Sequence, residues 1–186
     1  MKKWQLLPLF FGGLLLFFLA FYMGLTPKQS LIEAEALDSA PDYFLTDVDI
    51  KIFNQDGTAI ETLSAKELKH YNESNESYLT QPNMSKSQQG NNWIAKSNFG
   101  LINDSSKDIY LNGDSEIIHT NYSGGTIHLN ADIILYKETT QEIFATGNSY
   151  LLTEAGETQA NDIGVNINDE TISLSGEVNG QYKTAK

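Results

Sequence analysis

The chain repeats itself. Four blocks, Ala65 to Pro82, Ala95 to Gly113, Ala131 to Gly147 and Ala160 to Gly176, follow one plan: a small residue opens a strand, a polar turn comes about ten residues later, and a second strand closes on Gly or Pro. Self-similarity at a period of roughly 30 residues means stacked copies of one supersecondary unit, each burying an apolar face against its neighbours. The unit here is a β-hairpin. Function is therefore expected along the sheet that the copies build together, not in a compact catalytic pocket.

From Tyr43 onward apolar residues recur with a period of two, the mark of half-buried strands. Ile127, Leu129, Ala131, Ile133 and Leu135 alternate with Thr126, His128, Asn130 and Asp132, and Val48, Ile50 and Ile52 with Asp47, Asp49 and Lys51. Ile163, Val165 and Ile167 repeat the pattern, as do Ile172 and Leu174. Turn-forming residues separate the runs at Asp56-Gly57, Asn72 to Glu76, Asn103 to Lys107, Gly124-Gly125, Lys137 to Gln141 and Asn168 to Glu170. The expected fold class is all-β, a meander forming a sandwich or rolled sheet. Two offsets break the phase: Leu68 follows Ala65 and Ile163 follows Ala160 at odd spacing, which predicts bulges there.

Ahead of the strands, no charged residue occurs in the 24 positions from Trp4 to Pro27, and Leu6 to Leu25 is almost wholly apolar. That matches the roughly 20 residues needed to cross a ~30 Å hydrocarbon core. Lys2 and Lys3 precede it, which places the N-terminus in the cytoplasm and the rest outside. A cleaved signal peptide has a shorter apolar region, and the A-x-A match at Ala34-Glu35-Ala36 lies well past its end. The expected organisation is a cytoplasmic tip and transmembrane helix over 1–26, a linker over 27–42 and a β domain over 43–186. Ser30 and Glu33 form a capping box that predicts a short helix over Leu31 to Leu37, stopped by Pro41.

The chemistry search is largely negative. With no cysteine there are no disulfides, thiol nucleophiles or thiolate metal sites. All twelve basic residues are Lys; past Pro27 the chain holds 24 acidic residues against 10 Lys, a net charge near −14 that disfavours nucleic acid and anionic membrane surfaces. His70, His119 and His128 lack ligand-like spacing, so no metal or cofactor is expected. No nucleophile elbow, phosphate loop or paired glycosidase carboxylates occur, so no catalytic residue is expected. Asn-x-Ser sequons at Asn72, Asn75, Asn103 and Asn121 fall mostly at predicted turns, where such residues are expected anyway. What remains is a sheet with an apolar inner face, a polar outer face and free edges. Rolled but not closed, it leaves an elongated apolar groove; the alternative is that these side chains merely pack on one another.

The residues resemble the LptC family of the Gram-negative lipopolysaccharide export machinery over nearly the whole chain. The likeness rests on the basic N-terminus, the anchor, and an opening strand before a glycine-ended turn (Ile52-Phe53-Asn54-Gln55-Asp56-Gly57). It continues through Ala65 and the aromatic hairpin Tyr71 to Thr80-Gln81-Pro82, then Trp93, Ala95 and Tyr110-Leu111-Asn112-Gly113. The resemblance implies a twisted, open, V-shaped β-jellyroll that joins similar domains edge to edge. It implies an inner-membrane, single-pass protein whose domain receives lipopolysaccharide in the periplasm from an ABC transporter complex (LptB, LptF, LptG) and passes it to the soluble bridge protein LptA.

On that basis Val48, Ile50, Ile52, Leu79, Ile109, Leu111, Ile127, Leu129, Ala131, Ile133 and Leu135 are expected to line the lipid groove. Val48, Asp49, Ile50, Lys51, Ile52 and Phe53 are expected to form the edge facing the transporter, being nearest the anchor. Ile163, Val165, Ile167, Ile172, Leu174 and Gly176 are expected to form the edge facing LptA. Two alternatives remain at this stage. One is a soluble LptA-like carrier. The other is a structural or glycan-binding β-repeat protein, which would gather aromatics on one face, whereas Tyr71, Tyr78, Tyr110, Tyr122, Tyr136 and Tyr150 look scattered.

Overall fold

A computed structural model describes residues 40–88 and 90–183. The expected transmembrane helix, the short helix over Leu31 to Leu37 and most of the linker lie outside the described residues. The described chain forms twelve strands in one antiparallel sheet: β1 (Tyr43–Phe53), β2 (Ala59–Tyr71), β3 (Glu76–Thr80), β4 (Asn83–Gln88), β5 (Asn91–Lys96), β6 (Phe99–Asn103), β7 (Ile109–Thr120), β8 (Thr126–Lys137), β9 (Glu142–Thr153), β10 (Gly156–Asn166), β11 (Thr171–Ser175) and β12 (Asn179–Tyr182).

The strand order simplifies once short strands are read end to end. β3 and β4 share one side of β2, pairing with Glu67–Tyr71 and Glu61–Ser64 respectively. In the same way β6 and β5 share one side of β7, and β11 and β12 one side of β10. Each such pair is one long strand broken in the middle. Order across the sheet then equals order along the chain, a meander with only local hairpin connections. Its turns alternate between two rims, and we call the half-sheet ending in the turns near residues 72–75, 104–108, 138–141 and 167–170 arm I, the other arm II.

Between the arms runs a crease where strand alternation fails. Buried neighbours lie three residues apart at Ala65/Leu68, Ala131/Ile134 and Ala160/Ile163, and four apart at Leu111/Ser115 and Ala145/Ser149, instead of two. The register shifts between Asn112 and Ser115, between Asn130 and Ile133, and between Ala160 and Asp162. Positive φ angles recur on this line at Asp47, Gln81, Asp114, Asn148 and Glu177. Gly147, at φ 79°, shows why glycine is used: an added Cβ would also come 2.6 Å from Asp132 Oδ2.

Small side chains fill the inside of the crease: Ala65, Ser97, Ser115, Ala131, Ser149 and Ala160 are all buried. The serines also satisfy backbone groups that a broken ladder leaves free. Ser115 Oγ donates to the Asp132 carbonyl at 3.3 Å and Ser149 Oγ to the Asn161 carbonyl at 3.2 Å. The inner faces of the arms meet in one cluster that joins Leu111, Ile134 and Ile163 of arm I to Ile117, Leu129 and Leu151 of arm II. A second cluster holds Val48, Ala65, Leu68 and Leu79.

Each predicted block is thus one arm I hairpin running from the crease to the rim and back, and every predicted turn is present. Three expectations need correction. Ile133 and Leu135 face outward, because the bulge before them turns the strand over and puts Ile134, at 0 % exposure, inside. In the second block the crease residue is Ser97, since Ala95 pairs with Ile117 well inside arm II. Near Ala65 alternation breaks with no register shift, whereas near Ala160 the bulge is present.

The crease makes neighbouring isoleucines unequal. Ile134→Ala is expected to cost about 2–5 kcal/mol in urea unfolding, as deletions from a closed core do, while Ile133→Ala costs under ~1 kcal/mol. Equal losses would show that the strand is not turned over at the bulge.

Candidate functional site

The apolar interior is a strip that follows the crease across every strand. On arm I its wall is Leu68, Leu79, Leu111, Ile134, Ala145 and Ile163, and on arm II it is Leu63, Met84, Ala95, Ile117, Leu129 and Leu151. In the middle of the sheet these residues cover one another. At the two ends the cover stops, because an edge strand has a neighbour on one side only. The inner-facing residues of β1, Leu45 (44 %), Ile50 (42 %) and Ile52 (50 %), are exposed, as are Ile172 (48 %) and Leu174 (36 %) of β11.

The predicted lining residues divide accordingly. Val48, Leu79, Leu111, Leu129 and Ala131 are buried, Ile109 packs on the core, and Ile50, Ile52 and Ile127 share the inner face but remain exposed. Ile133 and Leu135 are on the other side of the sheet. Residues missed from the sequence include Leu68, Ile117, Ile134, Ile143, Ala145 and Leu151; Ile134 is hidden because the apolar run Ile133-Ile134-Leu135 disguises the bulge before it.

The predicted edges divide similarly. Val48 to Phe53 belong to β1, which pairs with β2 alone among the described residues. Ile163 and Val165 do not form an edge: they lie in β10, which is covered by β9 on one side and by β11 and β12 on the other, and Ile167 lies in the turn that follows. The second edge is β11 with β12, and Ile172, Leu174 and Gly176 lie there. The β12 segment docks closely, since the Cα of Gly156 packs against the Gln181 carbonyl and Thr158 Oγ lies 2.8 Å from the Tyr182 hydroxyl.

Polar and aromatic groups line the mouth of the strip. On arm II the Trp93 and His119 rings stack at 4.0 Å and 15°, beside a Lys86–Glu61 ion pair of 3.1 Å. Burial pushes the His119 imidazole below its ordinary value, so it stays neutral and stacks as an apolar ring. On arm I burial, and then the hydrogen bond its hydroxyl donates to Glu138, push Tyr136 well above the usual phenol value. At the β1 end Tyr43 stacks on His70 at 4.6 Å. His70 Nδ1 lies 3.1 Å from both Ser77 Oγ and Asp104 Oδ2, a trio resembling a hydrolase triad in composition. The connectivity differs: the Ser77 hydroxyl donates to the Asp104 carboxylate at 2.9 Å, so the imidazole is not placed between nucleophile and acid. The trio ties β2 and β3 to the turn after β6.

Comparison with known proteins agrees with this architecture. The family model described as lipopolysaccharide-assembly, LptC-related, matches residues 13–183. Among solved structures the chain is similar to LptH, described as the LptA-homologous periplasmic component of the lipopolysaccharide transport device of Pseudomonas aeruginosa. The TM-score is 0.59 at 7 % identity, covering 67 % of this chain and 95 % of that one, which shows a shared jellyroll fold. No curated protein matches the sequence.

The half-buried His119 imidazole makes stability depend on pH. His119 has its folded value lowered, so the unfolded chain takes up the proton first. The stability is complete above the unfolded value of about 6.5 and declines as pH falls through the folded value. Urea melts at pH 7.5 and 5 should show a smaller acid loss in His119→Phe than in the parent. An identical loss would exclude burial of this ring as a cause.

Proposed function

This chain belongs to the LptC-related lipopolysaccharide-assembly family, and from that premise we propose that its sheet is a membrane-tethered conduit for the lipid's acyl chains. The observation that carries the reading is the apolar strip, packed in two neighbouring clusters, covered in the middle of the sheet and exposed on β1 and β11. Each methylene removed from water there contributes roughly 0.8 kcal/mol, enough for several acyl carbons to hold a lipid, while the open mouth leaves a sugar headgroup hydrated.

The two edges receive different partners. β1, nearest the anchor in sequence, accepts the inner-membrane transporter formed by LptB, LptF and LptG; β11 and β12 accept the soluble bridge protein LptA. Unpaired main-chain groups on both edges support docking by strand addition. In this reading the uncharged segment Leu6 to Leu25 holds the domain on the periplasmic side of the inner membrane, and hydrolysis of ATP belongs to the transporter. The chain itself acts without chemistry, by shielding and positioning.

Photocrosslinkers placed in living cells at Ile50 and Ile52, on the inner face of β1, should capture lipopolysaccharide, and one at Lys51, on the other face, should not. Equal capture from all three positions would contradict the conduit.

A further inference from the structure

A second repeat lies on the opposite side of the sheet. Just before the crease, four strands carry the same short pattern: Phe44-Leu45-Thr46, Tyr78-Leu79-Thr80, Tyr110-Leu111-Asn112 and Phe144-Ala145-Thr146. The middle residue points inward, so the aromatic and the polar residue both point out. Strand register then lines the aromatics up. Phe44 pairs with Lys69, Lys69 with Tyr78, Tyr78 with Leu101, Leu101 with Tyr110, Tyr110 with Leu135, and Leu135 with Phe144. An aromatic ring therefore stands on every second strand, roughly 9.6 Å from the next at a strand spacing of ~4.8 Å. Two of the tyrosines that look scattered in the sequence, Tyr78 and Tyr110, stand in this row.

This row has no role in the core. Phe44 (52 %), Tyr78 (44 %) and Phe144 (39 %) are exposed on the outer face of arm I. From Tyr78 to Phe144 its own residues carry no formal charge, in a chain whose net charge is −12, and the nearest carboxylate is Glu76, which accepts from the Tyr78 hydroxyl at 2.9 Å. Beside the last three rings and on the same strands stand the neutral hydrogen-bonding groups Thr80, Asn112 and Thr146, alternating across the sheet with the apolar Phe99 and Ile133. Lysines cover the end rings, Lys69 at 5.8 Å from the centre of Phe44 and Lys137 at 5.4 Å from that of Phe144.

The occupant must be long, straight and periodic, with apolar faces and neutral polar edges. A bilayer surface would call for a broad apolar face with a basic rim, and a protein patch would have no need of a two-strand period. Polyanions are repelled by the acidic domain. A β-(1→4)-linked sugar chain meets each requirement: one pyranose is about as long as one strand spacing, and alternate sugars show the same face. Its ring faces stack on aromatics while its hydroxyls reach the threonine and asparagine line. We propose that the outer row of arm I is a docking platform for an extended, uncharged β-(1→4)-linked glycan, with one aromatic ring beneath every second sugar. This site is independent of the lipid strip, from which the thickness of the sheet separates it.

The test is calorimetric titration of the full chain in detergent with chitohexaose, with α-linked maltohexaose as control. Chitohexaose should bind saturably and maltohexaose should not. Tyr110→Leu and Tyr78→Leu keep an apolar side chain while removing the ring, and each should weaken chitohexaose about tenfold, or ~1.4 kcal/mol. Ile118→Ser, on the outer face of arm II, should leave it unchanged, and lipid capture at Ile52 should survive all three changes. No saturable binding, equal binding of maltohexaose, full binding by the two tyrosine variants, or capture of a protein through this row instead would each overturn the proposal.

Discussion

A flat antiparallel sheet cannot cover its own apolar face, so this domain depends on the one line along which strand alternation breaks. At that line buried residues come three or four apart instead of two, and the chain turns over. Most strands contribute their own break, through a left-handed residue, a glycine at positive φ or a bulge, and the breaks align because the meander keeps neighbours in sequence next to each other in space. The small residues of the crease, Ala65, Ser115, Ala131, Ser149 and Ala160, let the walls approach. Larger side chains there would hold the arms apart and wet the strip.

The interior and the edges follow from the same cause. Folding along a crease buries the inner face wherever a strand has neighbours on both sides, and leaves it open where a strand has only one. β1 and β11 therefore show the same apolar face as the core, next to unpaired main-chain groups. Such edges are an aggregation hazard unless another chain covers them. In the proposed conduit the hazard has a use, since a partner sheet placed on the edge would prolong the strip. The outer face, free of these demands, carries a second periodic surface of its own.

Much of this was legible in the sequence. The hairpin period, the turns and the starting strand at Tyr43 follow from local chemistry, because Gly, Asn and Asp mark turns wherever they lie. The odd offsets at Ala65 and Ala160 pointed to the crease at two strands, where a polar residue follows the break. They gave no warning in β8, where Ile133, Ile134 and Leu135 are all apolar and either phase reads equally well. The second edge was drawn one strand too wide for a different reason: Ile163, Val165 and Ile167 carry the same alternation as Ile172 and Leu174, and nothing along the chain shows that β11 and β12 together cover β10. The aromatic row depends on register across six strand pairs, which a pattern along one strand does not contain.

The central claim is that one apolar strip runs from β1 to β11 and that lipid enters at the first and leaves at the second. The direct measurement is time-resolved crosslinking during ATP-driven loading by the transporter, with probes at Ile52 and at Ile172. The account predicts that adducts appear first at Ile52 and later at Ile172, the second rising as the first levels off. Adducts arising first at Ile172, or never reaching it while Ile52 is fully loaded and LptA is present, would contradict it.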